Sequence, residues 1–436
     1  MILDSIAEFI WGWPLVSLVI IANLIATISL RGIQFRYFFS SWQYLRFTHT
    51  AQKENYISPF QAFLNTLSAS LGNGSAAGMA TALYSGGPGV VFWIFINGFL
   101  GMALRFAEVF LSTTVIDSTG AGMFRGGPMV FLHHVPGRRF LPMLYAIATL
   151  FVSIAAGSGM QANSITISVN RLTGVDHLVC GLIALIIVAY VLSGGAQRIM
   201  RFSETIIPVK VLLFFTATTI VFLFHIHKFI AAIQIVLEHA FTSQAMLGVA
   251  QGYTVKQALR YGISRSVSAT EAGLGTAGIF FGSTQNPNPW RSSCMSMISL
   301  FISNHLVCCL LLLLFIMTGV WNSGLTSTAM TCAAYETVFG TFGSLLITFL
   351  SMVFGLGVLV AYAFIGRECW LFLFGPQFIW IYNAAYCMMA GIGAVMPVHT
   401  IWAAVDIGNA CMMFLNMYGI MMLLPSIMSQ ISKETA

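Results

Sequence analysis

The chain has 436 residues, of which 58% are hydrophobic and 7% are charged, and its formal net charge is +6. An average soluble domain carries about 25% charged residues, so this composition excludes a soluble globular protein. A lipid bilayer accounts for it, because lipid then contacts most of the outer surface. We therefore predict one all-α membrane domain over residues 1–436, with the lipid bilayer and not a nucleic acid as its partner.

Apolar runs separated by short polar segments predict about eleven transmembrane helices, because each span needs about 20 apolar residues. The eight cysteines and nine histidines form no metal-ligand motif, so we predict neither a metal site nor a disulfide. The apolar runs lie near residues 10–30, 60–83, 89–114, 140–169, 177–193, 205–225, 264–282, 293–320, 342–366, 370–392 and 399–427.

The distribution of Lys and Arg between the loops predicts the orientation of these helices. With the N-terminus outside, twelve basic residues fall in cytoplasmic segments and four in external ones, which favours N-out and C-in. The cytoplasmic set is Arg31, Arg36, Arg46, Lys53, Arg125, Arg138, Arg139, Arg198, Arg201, Arg291, Arg367 and Lys433; the external set is Arg171, Lys228, Lys256 and Arg260.

Two of the predicted spans are unusually rich in glycine. One contains the run 72–78 (GNGSAAG) and the other the run 270–278 (TEAGLGTAG). Glycine at this density permits either close helix packing or local unwinding of the helix. Glu271 within the second run either orients a break there or makes a plain packing contact.

The position of the two glycine-rich spans favours unwinding. Without the span at 10–30, the chain divides into two sets of five spans, 60–225 and 264–427, and each set begins with a glycine-rich span. Interrupted helices at matching positions in two halves point to a transporter substrate site. Half-helix N-termini there can hold a carboxylate, and free carbonyl groups can hold a cation or an ammonium group.

Several motifs resemble one known family, the alanine or glycine:cation symporters. The longest is LGNGSAAGMATALYSGGPGVVFWIFINGFLGMALRFAEVFL, which begins at Leu71. Shorter matches are ISPFQAF, GGPM, GSGMQANSI and GISRSVSATEAGLGTAG. The resemblance extends over residues 10–427, which is nearly the whole chain.

The resemblance implies a leucine-transporter-like fold with five-plus-five inverted repeats and one additional N-terminal helix at 10–30. It implies alternating-access import of a small neutral amino acid, such as alanine or glycine, with sodium across a bacterial inner membrane. No enzymatic activity and no cofactor beyond a coupling ion, Na⁺ or H⁺, would be involved. The implied substrate contacts are Gly72, Asn73, Gly74, Ser75, Thr81, Gln161, Gly273, Gly275, Thr276 and Tyr362.

Two of these implied contacts have simpler structural roles that stay open. The hydroxyl of Thr81 can bond back to its own helix. The amide of Gln161 can bridge two helices without touching a substrate.

The chain departs from the family at positions that bear on substrate and ion. Ser268 stands where the family has an aromatic residue, and Tyr362 stands where it has a tryptophan. A smaller and more polar lining predicts a substrate bulkier than alanine. Gly357 and Val358 occupy the positions of two threonines that help to ligate sodium in the family, and neither offers a side-chain oxygen.

Lys210 stands inside a predicted span, where the family has an apolar residue. An ionisable residue within a membrane helix is costly and marks a functional site by default. We hypothesise that its ammonium group replaces sodium, which would make transport proton-coupled or sodium-independent. The alternative is that the side chain extends to the cytoplasmic interface.

The other charged residues within predicted spans are expected to have structural roles. Arg105 and Glu108 lie three apart on one helix face and are expected to pair with each other. Arg265 is expected to extend to the interface. Asp406 is expected to form a helix-packing polar pair with Asn409.

Three further function classes compete with transport. A channel would require a continuous pore and a symmetric filter motif, and the sequence contains no such motif. An amino-acid sensor that kept the fold and lost transport is the alternative that the missing threonines favour. A membrane enzyme is disfavoured, because no acid, base and nucleophile recur within one span.

Overall fold

The computed structural model describes residues 2–46, 57–119, 123–241, 254–284, 288–396 and 398–434. These residues are almost entirely helical, with one antiparallel hairpin of two short strands, β1 (Asp117–Thr119) and β2 (Met123–Arg125). The helices are α1 (Ile2–Ile10), α2 (Trp13–Ser29), α3 (Ile33–Arg36), α4 (Phe38–Arg46), α5 (Pro59–Ser70), α6 (Asn73–Gly86), α7 (Val90–Thr114), α8 (Pro128–Phe131), α9 (Leu141–Val152), α10 (Gln161–Thr173), α11 (His177–Ser193), α12 (Gly195–Phe224), α13 (Phe229–Phe241), α14 (Val255–Thr270), α15 (Thr276–Gly282), α16 (Pro289–Phe301), α17 (Leu310–Thr318), α18 (Ser327–Phe339), α19 (Thr341–Phe374), α20 (Ile379–Val395) and α21 (Val398–Glu434).

Two helix pairs are continuous through a π-helical stretch. Ser153–Met160 joins α9 to α10, and Ile302–Cys309 joins α16 to α17. Such wider turns often occur at functional sites, because they leave part of the backbone free of the regular ladder. Short 3-10 turns lie at Leu132–His134, Ile226–Lys228 and Val320–Asn322.

Within the part of the chain that the structure describes, seven helical segments are long and apolar enough to cross a membrane, judged by length and composition. The helices α11 and α20 are apolar but shorter. The remaining two predicted spans correspond to the interrupted pairs α5–α6 and α14–α15. The all-α membrane class is therefore confirmed, whereas the count of eleven spans and the five-plus-five repeat stay predictions. The seven segments are Ile6–Ser29, Val90–Thr114, Leu141–Asn170, Gly195–Phe224, Pro289–Thr318, Thr341–Phe374 and Ala404–Ser432.

The first predicted break separates α5 from α6. A capping box starts α5, where the hydroxyl oxygen of Ser58 accepts from the backbone N–H of Gln61 and the Gln61 side chain accepts from the Ser58 N–H. The helix ends at Ser70, and Gly72 before α6 has an extended backbone (φ −120°, ψ −176°). A Cβ on Gly72 would lie 2.4 Å from Cγ2 of Val358, so only glycine fits there. We call Leu71–Gly72 the first break.

The second predicted break separates α14 from α15. Three of its residues have a left-handed backbone: Glu271 (φ 57°), Gly273 (φ 85°) and Gly275 (φ 92°). Glycine adopts this conformation at little steric cost, which explains why glycines lie where the helix is interrupted. We call residues 271–275 the second break.

Several predicted boundaries are wrong. The spans predicted at 342–366 and 370–392 do not meet near residue 368, because α19 continues to Phe374 and α20 begins at Ile379. The charged residue Arg367, predicted to lie in a loop, lies inside α19. Gly375, with a positive φ of 71°, ends that helix. The span predicted to begin at residue 205 begins at Gly195, so α12 is 30 residues long.

Substitution of Gly275, in the second break, is expected to lower the stability of the protein. A Cβ on Gly275 would lie 2.2 Å from the hydroxyl oxygen of Tyr145, at a backbone conformation that alanine disfavours. We expect Gly275→Ala to lower the free energy of unfolding by about 1–3 kcal/mol. The measurement is thermal unfolding of the purified protein in detergent.

Gly101→Ala is the matched control for this substitution. Gly101 lies inside α7, and the nearest atoms to an added Cβ are 3.7 Å away, which is ordinary contact. Alanine favours a helix interior over glycine, so this variant should be at least as stable as the parent. Equal unfolding temperatures for the two variants would contradict the role assigned to Gly275.

Candidate functional site

A central cavity of about 110 Å³ lies beside the first break. It has room for several water molecules, and thus for a ligand of similarly few heavy atoms, whereas pockets for drug-sized ligands measure roughly 300–1,000 Å³. The cavity is lined by Ala69, Ser70, Gly72, Ser75, Gly78, Ala156, Met160, Gln161, Arg265, Ser268, Ala269, Glu271, Val358, Tyr362, Val405, Asp406 and Asn409.

The N-terminus of α6 faces this cavity. Gly72 precedes the helix and provides no side chain to cap the first backbone N–H groups. Ser75 lines the cavity as well, but its hydroxyl donates to the Ser70 carbonyl at 2.8 Å. Uncapped N–H groups at the positive end of a helix dipole attract a negatively charged group.

Gln161 is a predicted contact that lines the cavity with an unused acceptor. It follows the π-helical stretch Ser153–Met160, and its Oε1 is buried without a hydrogen-bond partner. Its Nε2 makes only a long bond of 3.5 Å to the Ala156 carbonyl. A buried amide oxygen without a partner is costly, so Gln161 is placed to accept a hydrogen bond from a ligand.

Glu271 and Tyr362 also line the cavity. The Tyr362 hydroxyl donates to Oε1 of Glu271 at 2.6 Å, and the Thr276 hydroxyl donates to Oε2 at 2.7 Å. These two bonds fix the carboxyl group next to the cavity and leave further lone pairs for a ligand. The sequence leaves a plain packing role open for Glu271, whereas in the structure this residue joins the second break to the cavity.

Arg265 and Asp406 also line the cavity, from α14 and α21 respectively. The prediction that Arg265 reaches the membrane interface is therefore incomplete, because the residue is half-buried and borders the cavity. Asp406 and Asn409 lie together on the same side. Arg265 and Asp406 are close enough to interact electrostatically, and within the described residues no direct ion pair joins them.

The second break is filled by side chains of the protein itself. Its exposed carbonyl groups accept from Arg105 (to Thr270, 2.7 Å), Tyr145 (to Leu274, 2.8 Å) and Asn416 (to Gly273, 2.9 Å). Arg105 and Glu108 lie 3.8 Å apart, as predicted for a pair. Glu108 additionally accepts from the Gly278 N–H at 3.2 Å and from Asn416 at 3.1 Å.

The structure does not bring every implied contact to the cavity. Gly273, Gly275 and Thr276 are enclosed in the second break, where protein groups surround them. Their implied role of receiving one end of a substrate has no support in the positions of these residues. The second break reaches the cavity through Glu271 instead.

Asn73 and Thr81 also lie away from the cavity lining. Oδ1 of Asn73 accepts from the Ser351 hydroxyl at 2.8 Å, and the residue borders a separate, smaller cavity. Gly74 belongs to the first turn of α6. The Thr81 hydroxyl donates to the Ala77 carbonyl at 2.8 Å, so it bonds back to its own helix.

Lys210 is buried in the middle of α12, about four turns from each end. Its side chain is 0% exposed, so it does not extend to the interface. Nζ donates to the Leu71 carbonyl at 2.9 Å and to the carbonyl and hydroxyl of Ser68 at 3.2 Å each. Gly357 lies against this ammonium group, while Val358 lies against Gly72 and lines the cavity.

The sequence profile of the sodium:alanine symporter family matches residues 1–434. The chain belongs to this family. The match confirms the resemblance seen in the motifs and extends it beyond residues 10–427 on both sides.

Relatives of this sodium:alanine symporter family member match over nearly its full length. An uncharacterized transporter of Haemophilus influenzae is 32% identical and covers 95% of this chain and 92% of its own. The sodium/alanine symporter AgcS of Methanococcus maripaludis is 28% identical, and the match covers 98% of this chain and 96% of AgcS. The probable sodium/glutamine symporter GlnT of Bacillus subtilis is 26% identical, and the match covers 95% of this chain and 86% of GlnT.

A solved structure is similar at lower identity. A crystal structure of the Eremococcus coleocola manganese transporter is 13% identical, with a TM-score of 0.48, and covers 81% of this chain and 75% of that one.

The contacts of Arg105 predict a structural effect. Replacing it with methionine leaves the Thr270 carbonyl without its donor and Glu108 without its nearby cation. We expect Arg105→Met to cost about 3–5 kcal/mol of unfolding free energy, because it leaves uncompensated polar groups in a buried site. Thermal unfolding in detergent measures this.

Arg201→Met serves as the control, since Arg201 is exposed on α12. Surface substitutions of this kind change stability by roughly 0.5 kcal/mol or less. A stable Arg105→Met protein would show that the second break needs no buried cation.

Proposed function

We propose that this family member is a secondary active transporter that imports a small neutral amino acid, such as alanine or glycine, together with a cation. The observation that carries the proposal is the cavity beside the first break, because an uncapped helix N-terminus and unused acceptor groups line the same space. A zwitterionic amino acid has a carboxylate that suits the helix N-terminus and an ammonium group that suits the acceptor groups.

The carboxylate of the amino acid would bind at the N-terminus of α6. The Ser75 N–H donates to the Gly72 carbonyl at 3.0 Å, but the start of α6 has no side-chain cap, and the helix dipole adds a positive potential there. The glycine at this position also lets a ligand approach the backbone closely.

The ammonium group would bind between three acceptors. Ala69 and Ser70 bring the C-terminal end of α5 to the cavity, where the helix dipole is negative. Oε1 of Gln161 is buried without a partner, and the carboxyl group of Glu271 faces the same space. An ammonium group donates three hydrogen bonds, so it can satisfy all three.

The side chain of the amino acid would point towards the polar groups of α14 and α21. Ser268, Asp406 and Asn409 lie there, which supports a cargo that is larger or more polar than alanine. The relatives named as sodium/alanine and probable sodium/glutamine symporters give two side chains to compare first.

The interrupted pairs α5–α6 and α14–α15 support alternating access as the mechanism. Two broken helices at corresponding places in two repeats allow one bundle to rock against the other around a fixed site. The five-plus-five repeat, a location in the bacterial inner membrane and the N-out, C-in orientation are parts of this proposal. The family description names sodium, so Na⁺ is the first coupling ion to test and H⁺ the second.

The first experiment is thermal stabilisation of the purified protein by the common amino acids, each with and without sodium. A ligand at 100 times its Kd stabilises the folded state by about 2.7 kcal/mol. Uptake of the stabilising amino acid into proteoliposomes then separates a transporter from a sensor, which would bind without transport. The absence of stabilisation and of uptake for every amino acid would refute the proposal.

Gln161→Leu tests the proposed ammonium contact. It removes the unused Oε1 acceptor, so we expect the amino acid to bind roughly tenfold more weakly, equivalent to one hydrogen bond to a charged group. Isothermal titration or the stabilisation assay measures the affinity. The fold should tolerate the change, because Gln161 makes only one long bond within the protein.

Thr81→Val is the matched control, because Thr81 is an implied contact that lies outside the cavity lining. Its affinity should stay within about twofold of the parent, as valine keeps the shape of threonine and loses only the bond to Ala77. If Thr81→Val weakened binding as much as Gln161→Leu, the assignment of the central cavity as the substrate site would be wrong.

A further inference from the structure

The ammonium group of Lys210 lies in an environment made for a cation. Its three hydrogen-bond acceptors are the carbonyl oxygens of Ser68 and Leu71 and the hydroxyl oxygen of Ser68. Neutral and carbonyl oxygens of this kind are the ligands that hard metal cations take in proteins. The ring of Phe354, 5.7 Å from Nζ, provides a further favourable contact.

The position of these oxygens at the end of α5 strengthens the attraction. The last carbonyl groups of a helix have no partner within the helix and form the negative end of its dipole. Here α5 ends inside the protein, at the first break, and Lys210 donates to two carbonyl groups there, those of Ser68 and Leu71. Within the described residues, no carboxyl group forms an ion pair with Nζ, so the carbonyl groups hold the charge.

Gly357 makes room for the ammonium group. A Cβ at this position would lie 2.6 Å from Nζ and 2.9 Å from Oγ of Ser68. A larger residue at 357 would therefore displace the lysine from its acceptors. The next residue, Val358, contacts Gly72, so the same turn of α19 touches both the lysine and the first break.

We propose that Lys210 is a tethered cation that takes the place of a sodium ion at the first break. This inference rests on the proposed function and changes one part of it, the ion. The ammonium group stabilises the broken backbone that borders the substrate, and it does so without binding an ion from solution. Amino-acid uptake is then independent of sodium.

A proton is the ion that this site can still exchange. A buried lysine releases its proton more readily than an exposed one, because burial disfavours the charged ammonium form. The helices packed against α12 are α5, α11, α17, α18 and α19, and none of their titratable groups forms an ion pair with Nζ within the described residues. Their charged groups are Glu336, Arg367 and Glu368, and α12 itself carries Arg198, Arg201 and Glu204.

The test is uptake of the stabilising amino acid by proteoliposomes that contain the full chain. Replacing sodium by N-methyl-D-glucamine on both sides should change the initial rate of the parent protein by less than about twofold, while an inward proton gradient should increase it. A loss of about tenfold or more on removal of sodium would overturn the proposal. Equal rates with and without the proton gradient would overturn the coupling to protons.

Two variants test the role of Lys210 itself. Lys210→Ala should reduce uptake by about tenfold or more, because it removes a charge held by three hydrogen bonds. Lys210→Ala combined with Gly357→Ser places a hydroxyl group beside the vacated oxygens, so uptake should return in sodium and not in N-methyl-D-glucamine. Sodium-independent uptake by Lys210→Ala at the parent rate would refute the role of the ammonium group.

Lys228→Ala is the matched control, because Lys228 is an exposed lysine just beyond α12. Its uptake should equal that of the parent in both salts. Stabilisation by the amino acid is measured for every variant, so that misfolding is not mistaken for a lost ion site. If no protein binds or transports any amino acid in any salt, the proposed function fails; if uptake occurs and requires sodium, only the inference about Lys210 fails.

Discussion

The organisation of this protein depends on one constraint: backbone N–H and C=O groups that a broken helix frees inside a membrane must find partners there. The two breaks meet this requirement differently. The second is satisfied by side chains of its own fold, since Arg105, Tyr145 and Asn416 donate to its carbonyl groups. The first has Lys210 on its carbonyl side and an uncapped helix N-terminus on the other.

This difference assigns separate roles to the two interrupted helices. The second break has its backbone carbonyl groups bonded by side chains of the protein, and the carboxyl group of Glu271 lines the cavity while bonded to Tyr362 and Thr276. The first break is only half satisfied by the protein, and its open half borders the cavity. A ligand carboxylate would provide the missing acceptor for the N–H groups at the start of α6. Binding of the ligand is thereby linked to the backbone conformation of the first break.

Both breaks could be predicted from the sequence, because paired glycine runs at matching places in two sets of apolar spans favour interrupted helices over simple packing. Their partners could not, since Arg105 and Asn416 approach from distant parts of the chain, and only packing of α7 and α21 brings them there. The same limit applies to Arg265 and Asp406. Both line the cavity, but their separation in the sequence gives no indication of this. The sequence left two roles open for Thr81, because the identity of a residue does not reveal that its hydroxyl donates to the Ala77 carbonyl.

The contact between Gly72 and Val358 has a consequence for how such proteins diverge. Threonine has the shape of valine, so an exchange at 358 would keep this contact and add an oxygen with little rearrangement. Position 357 has no such freedom, because any Cβ there collides with the lysine. Because a larger residue at 357 fits beside the lysine only when residue 210 also changes, we expect these two positions to covary among relatives.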